Sequence, residues 1–107
     1  MKEIIFDRNN YKSYKDFYVQ IYNDLDGAHT VDWEQYTNLC YSADALNEFL
    51  WYKEEENNKY VFLNFDKKQI AKQKTYDDYE YNLIVEIFER FAKNYPNNTV
   101  EFRPIEK

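Results

Sequence analysis

The sequence predicts a small α/β domain, a three-stranded parallel sheet covered by three to four helices, on three observations. Apolar runs suited to strands stand at residues 3–7, 60–65 and 99–103, and the stretches between them carry apolar residues at helical spacing. The resulting order is strand, helix, short helix, helix, strand, helix, strand, which right-handed crossovers turn into a parallel sheet. At 107 residues the chain suits one domain, residues 1–107, with one core.

Glu-Ile-Ile-Phe-Asp at 3–7 is a compact apolar run ended by Asn9-Asn10, which suits a strand buried on both faces. Ser13 with Asp16 makes a near capping box, and Phe17, Ile21 and Leu25 follow at i, i+4, i+8 beside Tyr14, Tyr18 and Tyr22, an amphipathic helix ending near Gly27. Asp32, with Gln35 three residues on, can start a short helix to about Asn38. Ser42 is a good N-cap for the next helix, where Leu46, Phe49 and Leu50 share one face. Residues 54–58, Glu-Glu-Glu-Asn-Asn, read as a solvated helix end and turn. Tyr-Val-Phe-Leu-Asn-Phe at 60–65 is the strongest strand and belongs at the centre of the sheet. A loop over 66–76, with a helical turn around Gln69 to Ala71, leads to a long helix from Asp77 or Asp78 to about Asn94. Its Leu83, Ile84, Ile87, Phe88 and Phe91 face inward, with Glu86, Glu89, Arg90 and Lys93 toward water. Thr-Val-Glu-Phe-Arg at 99–103 alternates like a half-buried edge strand before Pro104.

Composition narrows the function. Hydrophobic residues make up 44% and aromatics 21% of the chain, and Tyr supplies 12 of those aromatics, so much of that surface is expected half-wet and suited to a protein partner. A net charge of −6 argues against direct nucleic-acid binding, which depends on concentrated Lys and Arg, and favours a basic protein. Cys40 has no second cysteine to pair with, the N-terminal apolar run is too short for a signal peptide, and no run approaches the length of a membrane helix. A cytoplasmic protein that folds alone as a monomer, without metal or cofactor and away from the membrane, is the expectation.

The candidate site is the helix after Ser42. Asp44 and Glu48 stand together four residues apart, with Asn47 and Trp51 as a second such pair. Two like charges at that spacing cost an isolated helix roughly a few tenths of a kcal/mol, only partly relieved by the helix dipole at Asp44. The plain structural reading is a solvated face, although a structural helix would more naturally place Lys at one of the two positions. For Trp33 and Trp51, packing and interface readings weigh equally.

Residues 42–50, Ser-Ala-Asp-Ala-Leu-Asn-Glu-Phe-Leu, resemble the signature helix of the barstar family, where Asn-Leu-Asp-Ala-Leu precedes a variable residue, an acid and an apolar pair. Element order, length and acidity extend the resemblance over nearly the whole chain. It implies a non-enzymatic inhibitor that blocks a small basic ribonuclease, with Asp44 and Glu48 standing in for substrate phosphates and Tyr41, Trp33, Tyr36, Asn47 and Trp51 supplying surrounding contact. The chain departs from the family in the segment ahead of the helix, where Asn-Leu-Cys-Tyr-Ser at 38–42 replaces aromatic-aromatic-Gly-x-Asn. Asn47 replaces an aromatic between the two acids, and Glu89-Arg90 reverses the order of signs on the last helix, so a different partner is the simplest inference.

Other chemistries fit less well. Cys40 and His29 would make a nucleophile pair, but no third group orients them, and one helical turn gives Asp44 and Glu48 no enclosing pocket for acid–base work. Residues 23–27 fail as a calcium loop because Tyr22 and Trp33 stand where acids belong, and one His with one Cys does not make a zinc site. Tyr60, Phe62 and Phe65 read as a packed strand, not a base-stacking platform. The alternative functions are an immunity protein against a toxin domain that is not a ribonuclease, and a general interaction domain with no inhibitory role.

Overall fold

The central strand is β2 (Asn58–Leu63), flanked on both sides in parallel by β1 (Lys2–Asp7) and β3 (Thr99–Arg103). The structure is a computed structural model and describes residues 2–25, 43–51, 53 and 55–103. Between the strands run a 3-10 turn (Arg8–Asn10), α1 (Tyr14–Leu25), α2 (Ala43–Trp51), α3 (Lys67–Ala71) and α4 (Tyr76–Asn94). This is the expected α/β class, with the expected strand at its centre. The short helix expected from Asp32, the cap at Ser42, and Trp33, Tyr36, Tyr41, Cys40 and His29 lie outside the described residues.

Register explains the core. Ile4, Tyr60 and Val100 align across the sheet, as do Phe6, Phe62 and Phe102, so one face presents two apolar rows to the helices. Phe17, Tyr18 and Ile21 of α1, Leu46 and Leu50 of α2, and Tyr81, Ile84 and Phe88 of α4 close over those rows, all essentially without exposure. Phe6 sits 5.3 Å from Phe17 and 5.5 Å from Phe62 and Phe88, centroid to centroid, within the range where tilted aromatic pairs attract beyond their area alone.

The other face of the sheet corrects one expectation. β1 is buried on one face only: Ile4 and Phe6 point inward while Ile5 between them is 42% exposed. Its outward neighbours are charged, with Arg103 bonding Glu3 at 2.7 Å and Glu101 at 3.0 Å, and Lys59 pairing Glu101 at 3.3 Å. A short apolar run does not distinguish an edge strand under one layer from a strand between two.

β2 begins and ends two residues earlier than expected. Asn58, read as solvated turn, is only 4% exposed: its N–H donates to Asn98 Oδ1 at 3.2 Å and its Nδ2 to the Tyr60 hydroxyl at 3.2 Å. Glu55, Glu56 and Asn57 are exposed as expected. At the other end Asn64 takes a left-handed φ of 66°, tolerable for Asn, and donates to Asp7 Oδ1 at 2.8 Å, so the strand stops and Phe65 turns back into the core.

The helices start where polar side chains satisfy their first N–H groups. Ser13 Oγ accepts from Lys15 N–H and Asp16 reaches back to Lys12 N–H at 2.8 Å, the reciprocal logic of a capping box. Asp66 caps α3, and Thr75 caps α4 by accepting from Asp78 N–H at 3.0 Å, so α4 opens at Tyr76, slightly before the start expected at Asp77 or Asp78. Its inward face is as expected, with Leu83 half-buried and Asp78, Glu80 and Asn82 also buried. Glu86, Arg90 and Lys93 are exposed.

Tyrosine is used differently from the half-wet role expected of it. Tyr11, Tyr18, Tyr22, Tyr60 and Tyr81 are core residues, while Tyr76 and Tyr79 are the exposed large aromatics of α4. Desolvation pushes the Tyr60 and Tyr81 hydroxyls up to about 12 and those of Tyr11 and Tyr18 higher still. Among the described residues no helix is long and apolar enough to cross a membrane, and no group of three or more His, Cys, Asp or Glu could hold a metal ion.

Candidate functional site

The orientation of α2 is set by its apolar residues. Leu46 and Leu50 are buried, and Phe49 packs edge-on against Tyr22 at 4.9 Å. With that face fixed inward, the 3.6-residue period carries Asp44, Asn47, Glu48 and Trp51 to the exposed flank. Trp51 is 64% exposed, a large apolar surface left open to water. Asp44 lies in the first turn, where the positive end of the helix dipole favours its charge.

α4 supplies the opposite wall. Ile87, Arg90, Phe91 and Asn94 recur at i, i+3, i+4 and i+7, so the buried Ile87 and Phe91 bring Arg90 and Asn94 onto the same side. Between the two helices runs a groove of about 410 Å³, with Asp44, Asn47, Glu48, Trp51, Arg90 and Asn94 along its sides. Leu50, Ile87, Phe91 and Tyr95 give it an apolar lining.

Arg90 Nη2 donates to Asn47 Oδ1 at 3.3 Å and ties the two walls together. Its sequence neighbour Glu89 turns the other way and meets Lys67 Nζ at 2.8 Å. The groove therefore holds two carboxylates against one guanidinium, and that guanidinium bonds a neutral amide. Among the described residues, neither Asp44 nor Glu48 has an ion-pair partner. Such a surface can accept cationic groups from a partner on two exposed acids while an indole ring supplies apolar contact.

Four of the seven residues singled out from sequence, Asp44, Asn47, Glu48 and Trp51, are brought together here. Tyr41, Trp33 and Tyr36 lie outside the described residues. Sequence reasoning placed Arg90 toward water and used it only as a sign reversal on the last helix, not as a wall of the site. Its periodicity with Ile87, Phe91 and Asn94 was readable, but the helix facing it was not. No protein-family model, no curated protein and no solved structure matches this chain.

Proposed function

We propose that this chain is a barstar-like inhibitor, a non-enzymatic acidic protein that seats the α2–α4 groove over the active site of a small basic ribonuclease. Asp44 and Glu48 take the places of substrate phosphates and pair with the cationic groups that bind RNA, while Trp51 and Asn47 fill the surrounding contact. The observation that carries this reading is the pair of exposed acids with no ion-pair partner among the described residues, set beside an exposed tryptophan on one groove. An acid held in an intramolecular ion pair would have to break that pair to serve a partner; among the described residues these have none to break. The net charge of −6 supports the same partner through long-range attraction that salt screens. The inhibitor works in the cytoplasm as a monomer, and neither metal nor cofactor enters the reading.

Arg90 favours a second reading, an immunity protein against a toxin domain that is not a ribonuclease. A guanidinium on the groove calls for an acceptor on the partner as well as cations.

Affinity capture with the intact chain as bait tests the first reading. The expected catch is a basic protein that cleaves RNA when alone and stops when the chain is added. A captured nuclease that keeps cleaving with the chain bound contradicts active-site blocking, and a captured toxin with no activity on RNA replaces the first reading with the second.

A further inference from the structure

A second crevice lies away from the α2–α4 groove, at the carboxyl ends of β1 and β2, where the chain leaves the sheet at Arg8 and at Asn64. The crevice encloses about 330 Å³. Arg8, Asn9, Asn64, Asp66, Gln69 and Asp78 give it a polar lining.

Three of those residues are charged: Asp66 is exposed and accepts the Gln69 N–H as the cap of α3, while Arg8 and Asp78 carry opposite charges that do not meet. Asp78 is only 8% exposed, and its backbone N–H donates to Thr75 Oγ1. Among the described residues its carboxylate has neither a hydrogen bond nor an ion pair. The N-terminal end of α4 offsets part of the cost of burying that charge. Arg8 donates through Nη1 to the Tyr11 carbonyl at 3.2 Å and lies 4.5 Å from the centroid of the Tyr81 ring. It too has no carboxylate partner among the described residues. One turn beyond Asp78, the Tyr81 hydroxyl is buried with no hydrogen-bond partner among the described residues.

A buried carboxylate and a guanidinium on one crevice ordinarily close on each other, since an unpaired buried charge is costly. Left apart, they match a molecule that carries both complementary charges. We propose that this crevice binds a small zwitterion of the amino-acid class, its ammonium group donating to Asp78 and its carboxylate accepting from Arg8. The side-chain amides of Asn9 and Gln69 line the space between, and the left-handed turn at Asn64, pinned to Asp7, fixes the wall of the site. The inference rests on neither wall of the α2–α4 groove and stands apart from the inhibitor reading.

Titration of the intact chain with glycine, β-alanine and γ-aminobutyrate, zwitterions of increasing charge separation, tests it by amide chemical shifts. Methylamine and acetate serve as single-charge controls. At least one zwitterion should give saturable shifts at Arg8, Asn64, Gln69 and Asp78, and bind about tenfold or more tightly than either control, because both charges must be met together. Asp78→Asn and Arg8→Gln should each weaken that binding by about tenfold, while Glu55→Lys, on a different surface, leaves it unchanged. The Thr75 cap uses the backbone of residue 78, so Asp78→Asn keeps it; if that variant nonetheless fails to fold, Arg8→Gln decides. The proposal is overturned if no zwitterion saturates the crevice, if a single-charge control binds as well, or if the folded variants bind like wild type.

Discussion

At the scale of single residues, Asp44, Asn47, Glu48 and Trp51 on the candidate groove are exposed, so binding and stability should respond to different substitutions. Trp51→Ala should cost about 2 kcal/mol or more of affinity for the captured partner if the indole is a central anchor, while the thermal midpoint stays within the scatter of surface variants. Calorimetry of binding and of unfolding on the same preparation checks both halves. Asp44, Asn47, Glu48 and Trp51 were legible because a helix with Leu46 and Leu50 inward must turn them outward together. The Arg90–Asn47 bond was not, because it depends on how α2 and α4 pack, and nothing local in either helix encodes that.

At the scale of elements, boundaries were misplaced wherever a side chain, not apolar periodicity, sets them. α4 begins at the Thr75 cap, and β2 extends back to Asn58 because Asn98 supplies its N–H with an acceptor. Thr75→Ala should lower stability by about 1 kcal/mol through the lost cap, measured by denaturant unfolding, with the slope of the transition unchanged. The charged ladder on the outer sheet face gives a pH dependence. Desolvation works to raise the Glu101 carboxyl, and hydrogen bonds from Arg103 and Lys59 outweigh it and hold the group below its ordinary value. A depressed folded-state value means that stability is present above the unfolded carboxylate range and is lost as pH falls through the lower, folded one. Glu101→Gln should therefore flatten the acid limb of stability against pH. An unchanged acid limb would show that the ladder contributes nothing.

At the scale of the whole molecule, fold class and strand arrangement followed from the spacing of three apolar runs and the helical patterns between them. What the pattern did not disclose was layering: Ile4-Ile5-Phe6 reads alike under one layer or between two, and only the pairing of Ile5 with the row of Glu101 showed the open face. Phe62, packed between Phe6, Phe88 and Phe102, joins the strands to α4, and Phe62→Ala should cost about 3–5 kcal/mol by leaving a cavity that its neighbours cannot close. Desolvation holds Tyr60 and Tyr81 at about 12, above the ordinary tyrosine value, so stability is complete below that ordinary value and declines as pH rises toward 12. Tyrosinate absorbance should accordingly lag behind that of the unfolded chain and rise together with loss of structure. The inhibitor reading meets its most direct test in the association rate with the captured basic partner, measured for wild type, Asp44→Lys, Glu48→Lys and Glu55→Lys across a range of salt. All three substitutions change net charge equally, and Glu55 lies outside the groove. The account predicts that Asp44→Lys and Glu48→Lys slow association and abolish inhibition while Glu55→Lys stays near wild type; equal losses in all three would mean that bulk charge alone attracts the partner and that the groove does not dock it.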